Sequence, residues 1–335
     1  MRLIPQSALP TRHKAFSLIE ILVATAVLAI LLSLILTILN SVSTTVRHTS
    51  AKVDAFASAR AAFTLLSQRL AQATLNTYWA YDQPPPQTPT AYLRQSDLQF
   101  TVVQNTRMAG YGQEAYFHTP QSYSDNNNLR TTEGLLNATS FFVQFGSNDS
   151  FRPNNLTEKK YRYRLMQGLQ PTERLSTFKD PATTTGVPNW AGEIGNSASP
   201  SSYVSPLSDN VIAVIAWPRL SPHDDPTGAE LTGDYTYDSK KDATRVPQPP
   251  TANQLPPMVQ LTMVVISEAS AVRLDKQSST PPPEIEGALQ GKFANVNRYK
   301  TDLDDLQREL TAKNIEFEVF TTTVPLSGSK WSDDQ

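Results

Sequence analysis

The chain has no cysteine. Disulfides, thiolate nucleophiles and cysteine-based zinc sites are therefore excluded, although an exported protein can do without disulfides. Glycine is scarce, and no phosphate-cradling glycine loop or G-x-S-x-G nucleophile turn is present. The four histidines, His13, His48, His118 and His223, stand in neither H-x-x-x-H nor H-E-x-x-H spacing, so a metalloprotease-type site finds no support. Excess positive charge is also missing. The formal charge is −2, and without residues 1–15, which hold Arg2, Arg12 and Lys14 and no acid, Lys+Arg falls from 29 to 26 against 31 acids, or −5. A mildly acidic body does not suit broad nucleic-acid binding, and no nucleic-acid partner is expected. The pattern contains no catalytic constellation, and the chain is not expected to be an enzyme.

What is present begins with a long apolar run. Ile21–Leu39 is nineteen residues without a charge, and its only polar residues are Thr25, Ser33 and Thr37. At 1.5 Å per residue this makes roughly 28 Å of helix, close to the thickness of a bilayer's hydrocarbon core. The run is too long for the apolar part of an ordinary secretory signal, and "NSVSTTV" after it is a poor cleavage site. The positive-inside rule puts Arg2, Arg12 and Lys14 in the cytoplasm and the large body outside, although Arg47, Lys52 and Arg60 follow the span. One acid, Glu20, stands at the cytoplasmic end of the run, where a carboxylate costs less than at the membrane centre.

"KAFSLIEILVATAVLAIL" resembles the prepilin-type cleavage and methylation motif of type IV pilins and type II secretion pseudopilins. The resemblance implies that a prepilin peptidase cleaves after Ala15, where the family usually has glycine, and methylates the new N-terminus, Phe16. Glu20 becomes the fifth mature residue. In a filament the resemblance implies that Glu20 pairs with the Phe16 ammonium of a neighbouring subunit. The partners it implies are the peptidase, other pilin-like or pseudopilin subunits, and a bacterial inner membrane crossed once, with the N-terminus cytoplasmic and the body periplasmic.

No proline or glycine occurs between Thr11 and Asp82, and Val42, Val46, Val53, Phe56, Phe63, Leu66 and Leu70 recur at helical spacings. The spacing predicts one helix from about Ser17 to Thr77, ended by "DQPPPQTP". The expected organisation is a leader over 1–15, a transmembrane helix over 16–40, an amphipathic continuation over 41–80 and a globular body over 81–335. The fold class is α+β, with the long helix packed on an antiparallel sheet. Strands are predicted at 97–103, 139–145, 159–167, 210–217, 258–266 and 315–324, and a helix over 297–314 with Leu303, Leu306 and Leu310 on one side. "VIAVIAW" is apolar on both faces and reads as a central strand. The stretches 174–209 and 221–257 read as long loops, and Asn137, Asn148 and Asn155, in Asn-x-Ser/Thr triplets, read as polar loop residues.

"PLSDNVIAVIAWPRLS" followed by "PPMVQLTMVVI" resembles the J-type minor pseudopilins. "YRYRLMQGLQPTERL", "DNVIAVIAWPRLSPHDDPTG" and "FTTTVPLSGSKW" more closely resemble the Verru_Chthon cassette protein C family, pilin-like proteins encoded in cassettes in verrucomicrobial genomes. In "SPHDDPTGAELTGDYTYDS", Asp224, Asp225, Asp234 and Asp238 offer hard oxygen donors of the kind a Ca²⁺ ion takes, without EF-hand spacing. A solvated acidic loop is the plainer reading. The rival to a filament subunit is a single-span anchored module that binds a glycan or an exported protein.

Overall fold

The computed structural model describes residues 18–83, 86–105, 111–129, 131–152, 158–178, 186–194 and 203–331. A helix, α1, runs over Leu18–Ala71. It is followed by β1 (Tyr78–Tyr81), β2 (Tyr92–Gln95), β3 (Thr101–Gln104), β4 (Gln113–Pro120), β5 (Leu136–Ser147) and β6 (Tyr161–Gln170). Then come a short α2 (Ala191–Ile194), β7 (Val204–Asp209), β8 (Val211–Arg219) and β9 (Tyr237–Asp238). The chain closes with β10 (Met258–Ile266), α3 (Glu268–Leu274), α4 (Pro283–Leu289), α5 (Tyr299–Ala312) and β11 (Phe317–Pro325). The chain divides into two compact units, residues 1–51 and 52–335. The fold is α+β, an N-terminal apolar helix followed by antiparallel sheets.

Within residues 52–335 the strands form a six-stranded sheet in the order β7-β6-β5-β4-β3-β9, a three-stranded sheet in the order β11-β10-β8, and the hairpin β1-β2. All pairings are antiparallel. Side chains alternate across a strand. The odd-numbered Ala115, Phe117, Phe141, Val143, Tyr163 and Leu165 enter the main core. The even-numbered Tyr116, Ala138, Phe142 and Met166 build a second, smaller core with Trp190, Ile194 and Val204. The six-stranded sheet is thus apolar on both faces.

The body's part of α1 supplies Ala59, Ala62, Phe63, Leu66 and Leu70 to the main core, at steps of three, one, three and four residues. Phe63 meets Phe320 of β11 at 5.8 Å between ring centroids, and Arg60 pairs with Glu318 at 3.5 Å. The helix stops at Ala71, six residues before the expected Thr77. The Thr74 N–H donates to His118 O at 2.9 Å, so the chain leaves the helix to bridge β4.

The predicted strands lie on β3, β5, β6, β8, β10 and β11, although in the first only residues 101–104 are strand. "VIAVIAW" is not central in its sheet: β10 is, and β8 lies at an end. Its side chains from Val211 to Trp217 are all buried in the main core even so. The edge of β8 is covered by the start of β4, where the Ala216 N–H donates to Gln113 Oε1 at 3.1 Å. Gly112, at φ +74°, sits so close to the Val214 carbonyl that a Cβ there would collide with it. The 221–257 stretch is a packed cover rather than an open loop. Tyr235 and Tyr237 are buried in the main core, and the Tyr237 hydroxyl donates to Gln254 O at 2.9 Å. In α5, Leu306 and Leu310 are buried and Leu303 packs beside them, as the spacing predicts.

Candidate assembly segment and acidic loop

The first part of α1, Leu18–Ser43, is long and apolar enough to cross a membrane, and none of it is buried within the protein. Twenty-six residues at 1.5 Å each give about 39 Å of helix, more than the hydrocarbon core requires. Its two threonine hydroxyls are satisfied internally: Thr25 donates to Leu22 O at 3.0 Å and Thr37 to Ser33 O at 2.9 Å. Such back-bonding removes the cost of placing a hydroxyl in hydrocarbon. Glu20 is exposed and lies in the first turn, where the helix dipole favours a negative charge. Glu20, Ala24 and Leu28 follow one another at i, i+4 spacing and, with Ile21 and Thr25, line a shallow trough on the helix surface. Ala15 and Phe16 lie outside the described residues.

The structure separates the four loop aspartates. Asp224 is exposed, accepts from the Ser221 hydroxyl at 2.6 Å and faces His223 Nδ1 at 3.0 Å. Asp225 is buried. It accepts from the backbone N–H of Gly228 at 2.7 Å and of Glu230 at 2.9 Å, and from the Thr227 hydroxyl at 2.8 Å. Burial alone would raise its pKa, but these hydrogen bonds outweigh it and hold the carboxyl below the usual range. Asp234 accepts from the hydroxyls of Thr232 and Thr236, and Asp238 from Gln99 Nε2 and the N–H groups of Gly186 and Lys240. Asp234 and Asp238 line one cleft of ≈ 560 Å³ with Glu230, Asp242 and Lys241, and neither Asp224 nor Asp225 does. Among the described residues no group of three or more His, Asp or Glu side chains is gathered closely enough to hold a metal ion. The carboxylates' visible work is to fasten their own turns.

His118 is buried, with Nε2 2.8 Å from the Thr177 hydroxyl and its ring 5.2 Å from that of Trp190. His223 is exposed beside Asp224. Sequence reading passed over the β1-β2 hairpin, whose register places Trp79, Tyr81 and Tyr92 on one face, all exposed. The available signal was four aromatics, Tyr78, Trp79, Tyr81 and Tyr92, on either side of a proline-rich turn.

Residues 10–36 match the prokaryotic N-terminal methylation motif. The match includes Ala15, Phe16 and Glu20 and ends within the apolar helix. No curated protein and no solved structure matches the chain.

Proposed function

We propose, from the premise that the chain is a prepilin-processed, pilin-like protein with a single membrane anchor, that it works as a minor pseudopilin. In this reading it is a structural subunit of a type II secretion- or type IV pilus-like filament. A prepilin peptidase cuts after Ala15 and methylates Phe16. The body lies on the periplasmic side of the inner membrane. The observation that carries the reading is the methylation motif over residues 10–36, continued by an apolar stretch to Ser43 of which nothing is buried within the protein. The sequence resemblance to the J-type pseudopilins and to the Verru_Chthon cassette protein C family supports the same role.

Glu20 gives the proposal its mechanism. Cleavage creates an ammonium on Phe16 that the precursor lacks. A carboxylate and an ammonium brought together in hydrocarbon attract strongly only when both are well placed, so the pair selects one axial register between neighbouring subunits. Mass spectrometry of protein isolated from membranes should find an N-terminal peptide that begins at Phe16 and carries one added methyl group. Glu20→Ala should leave cleavage and membrane insertion intact and lower recovery in the assembled fraction about tenfold, the equivalent of 1.4 kcal/mol. An intact Met1 on the mature protein, or unchanged assembly of the variant, would refute the proposal.

A further inference from the structure

The β1-β2 hairpin contributes no residue to either core. Its register sets Trp79 opposite Arg94 and Tyr81 opposite Tyr92, so all four share one face. Trp79, Tyr92 and Tyr81 are 64%, 62% and 52% exposed. A single exposed ring needs no explanation, but three on one face of a short hairpin form a patch, and such patches mark places of contact.

The rings are held in place by the rest of the body. Arg94 is buried, and its guanidinium donates to Ala252 O at 3.2 Å and to Pro249 O and Pro250 O at 3.1 Å each. The same guanidinium lies over the Trp79 ring, 5.9 Å from its centroid, and so backs the indole. The Tyr81 and Tyr92 rings lie 4.6 Å apart between centroids, at a tilt of 36°. The Tyr92 hydroxyl donates to that of Tyr81 at 2.9 Å, which leaves the Tyr81 proton for a guest. Rings fixed in advance lose little freedom when a guest arrives.

Area, shape and charge select the guest. Three rings at these exposures offer roughly 350 Å². A stable protein interface takes about 800 Å² from each partner, so the patch is too small to hold a second copy of the chain or another folded protein. A proline-rich segment docks by inserting a ring between aromatic walls. That requires walls about 7 Å apart, twice a carbon–carbon contact distance, and the Tyr81–Tyr92 pair leaves no such slot. Arg94 is the sole basic residue from Asn76 to Asp97 and is buried, so an anionic polymer or lipid surface finds no cation there. Asp82 accepts from the Thr90 N–H and Asp97 from Asn76 Nδ2. What remains is a platform of ring faces with hydroxyl and indole donors at its edges. Aromatic faces are electron-rich and attract the C–H groups on the flat side of a pyranose. We infer that the β1-β2 hairpin binds a neutral polysaccharide, with sugar rings stacked on Trp79 and on the Tyr81–Tyr92 pair and sugar hydroxyls bonded to the Tyr81 hydroxyl and the Trp79 indole N–H. The inference does not depend on the filament role.

The test is fluorine NMR of the full chain, labelled with 5-fluorotryptophan and held in phosphatidylcholine nanodiscs free of sugar-based detergent. It is titrated separately with cellohexaose, chitohexaose and maltohexaose. Trp190 and Trp217 are buried and serve as internal controls, and Trp79→Phe identifies the Trp79 resonance by its loss. A saturable shift of the Trp79 resonance, with Trp190 and Trp217 unmoved, is expected for at least one of the three, and the one that binds names the sugar and its linkage. Tyr81→Ala should weaken that binding about tenfold and leave the thermal midpoint in place, because the ring is exposed and outside the core. Tyr78→Ala, on the opposite face of the hairpin, should leave the affinity unchanged. No saturable shift with any of the three sugars, unchanged affinity in Tyr81→Ala, an equal loss in Tyr78→Ala, or binding of decaproline or polygalacturonate in place of the neutral sugars would overturn it.

Discussion

At Asp225 one buried carboxylate accepts two backbone N–H groups and a hydroxyl, and so closes the turn through Gly228 and Glu230. Asp225→Ala leaves those donors inside the protein with nothing to accept them and should cost about 2 kcal/mol. Asp224, exposed one residue earlier, should shift the urea midpoint far less when replaced by alanine. Paired urea titrations check both, and equal effects would refute the distinction. His118 sets a pH window. Burial, aided by the charge of Lys240, lowers its pKa from 6.5 to about 4. Between these values the unfolded chain binds a proton that the native state does not. Stability is therefore undiminished above pH 6.5 and falls as pH drops towards 4, by about 3 kcal/mol in all. Carboxyls such as Asp225 and Asp275, held below their usual range, lose their contribution only at lower pH. Urea midpoints from pH 7 to pH 4.5 should fall in the native protein and fall much less in His118→Gln. Asn137, expected to be a loop residue, is another buried clamp: its Oδ1 accepts from Tyr123 N–H and its Nδ2 donates to Tyr123 O and Gln170 O. A triplet in the sequence carries no sign of that.

At the scale of elements, α1 uses its two stretches differently. Leu66 is buried in the main core, whereas Leu34 is exposed. Leu66→Ala should destabilise the body by about 2–5 kcal/mol through lost burial and a residual cavity. Leu34→Ala should leave the same urea transition within about 0.5 kcal/mol. A shared effect would mean that the apolar segment belongs to the body's core. Periodicity made this helix legible, and apolar runs made β5, β8, β10 and β11 legible. It failed for β4, "QEAYFHTP", whose residues are all buried except Pro120. There the buried Glu114 receives the Tyr116 hydroxyl and His118 meets Thr177, so polar residues inside hide the strand from a hydrophobicity pattern. Strand β7 was missed because Pro206 interrupts it, and α3 and α4 because seven residues are too few to show a period. Glu20 was legible because its motif is contiguous. The apolar cavity between β6 and α3 was not, because its lining is drawn from residues 145 to 285 and exists only after the chain folds.

For the whole molecule, the chain divides between residues 51 and 52 into two units of different composition. The apolar span, Leu18–Ser43, lies entirely in the first unit. Among the described residues the buried apolar core begins at Ala59, in the second. Deleting residues 1–51 therefore removes no described member of that core. It does remove the one segment among the described residues that is long and apolar enough to span a bilayer. The fragment 52–335 should be soluble without detergent and unfold in a single cooperative urea transition. Its midpoint should show the same decline from pH 7 to pH 4.5, because His118 and the groups around it are retained. The loss expected at the new helix end is small, since helical stability in a folded protein comes mainly from packing of the buried face rather than from the length of helix beyond it. A fragment with native-like far-UV circular dichroism but no cooperative transition would show that the body needs its anchor to pack. A soluble fragment that keeps the acid-sensitive midpoint would show that the anchor's work lies in the membrane and the body's fold stands without it.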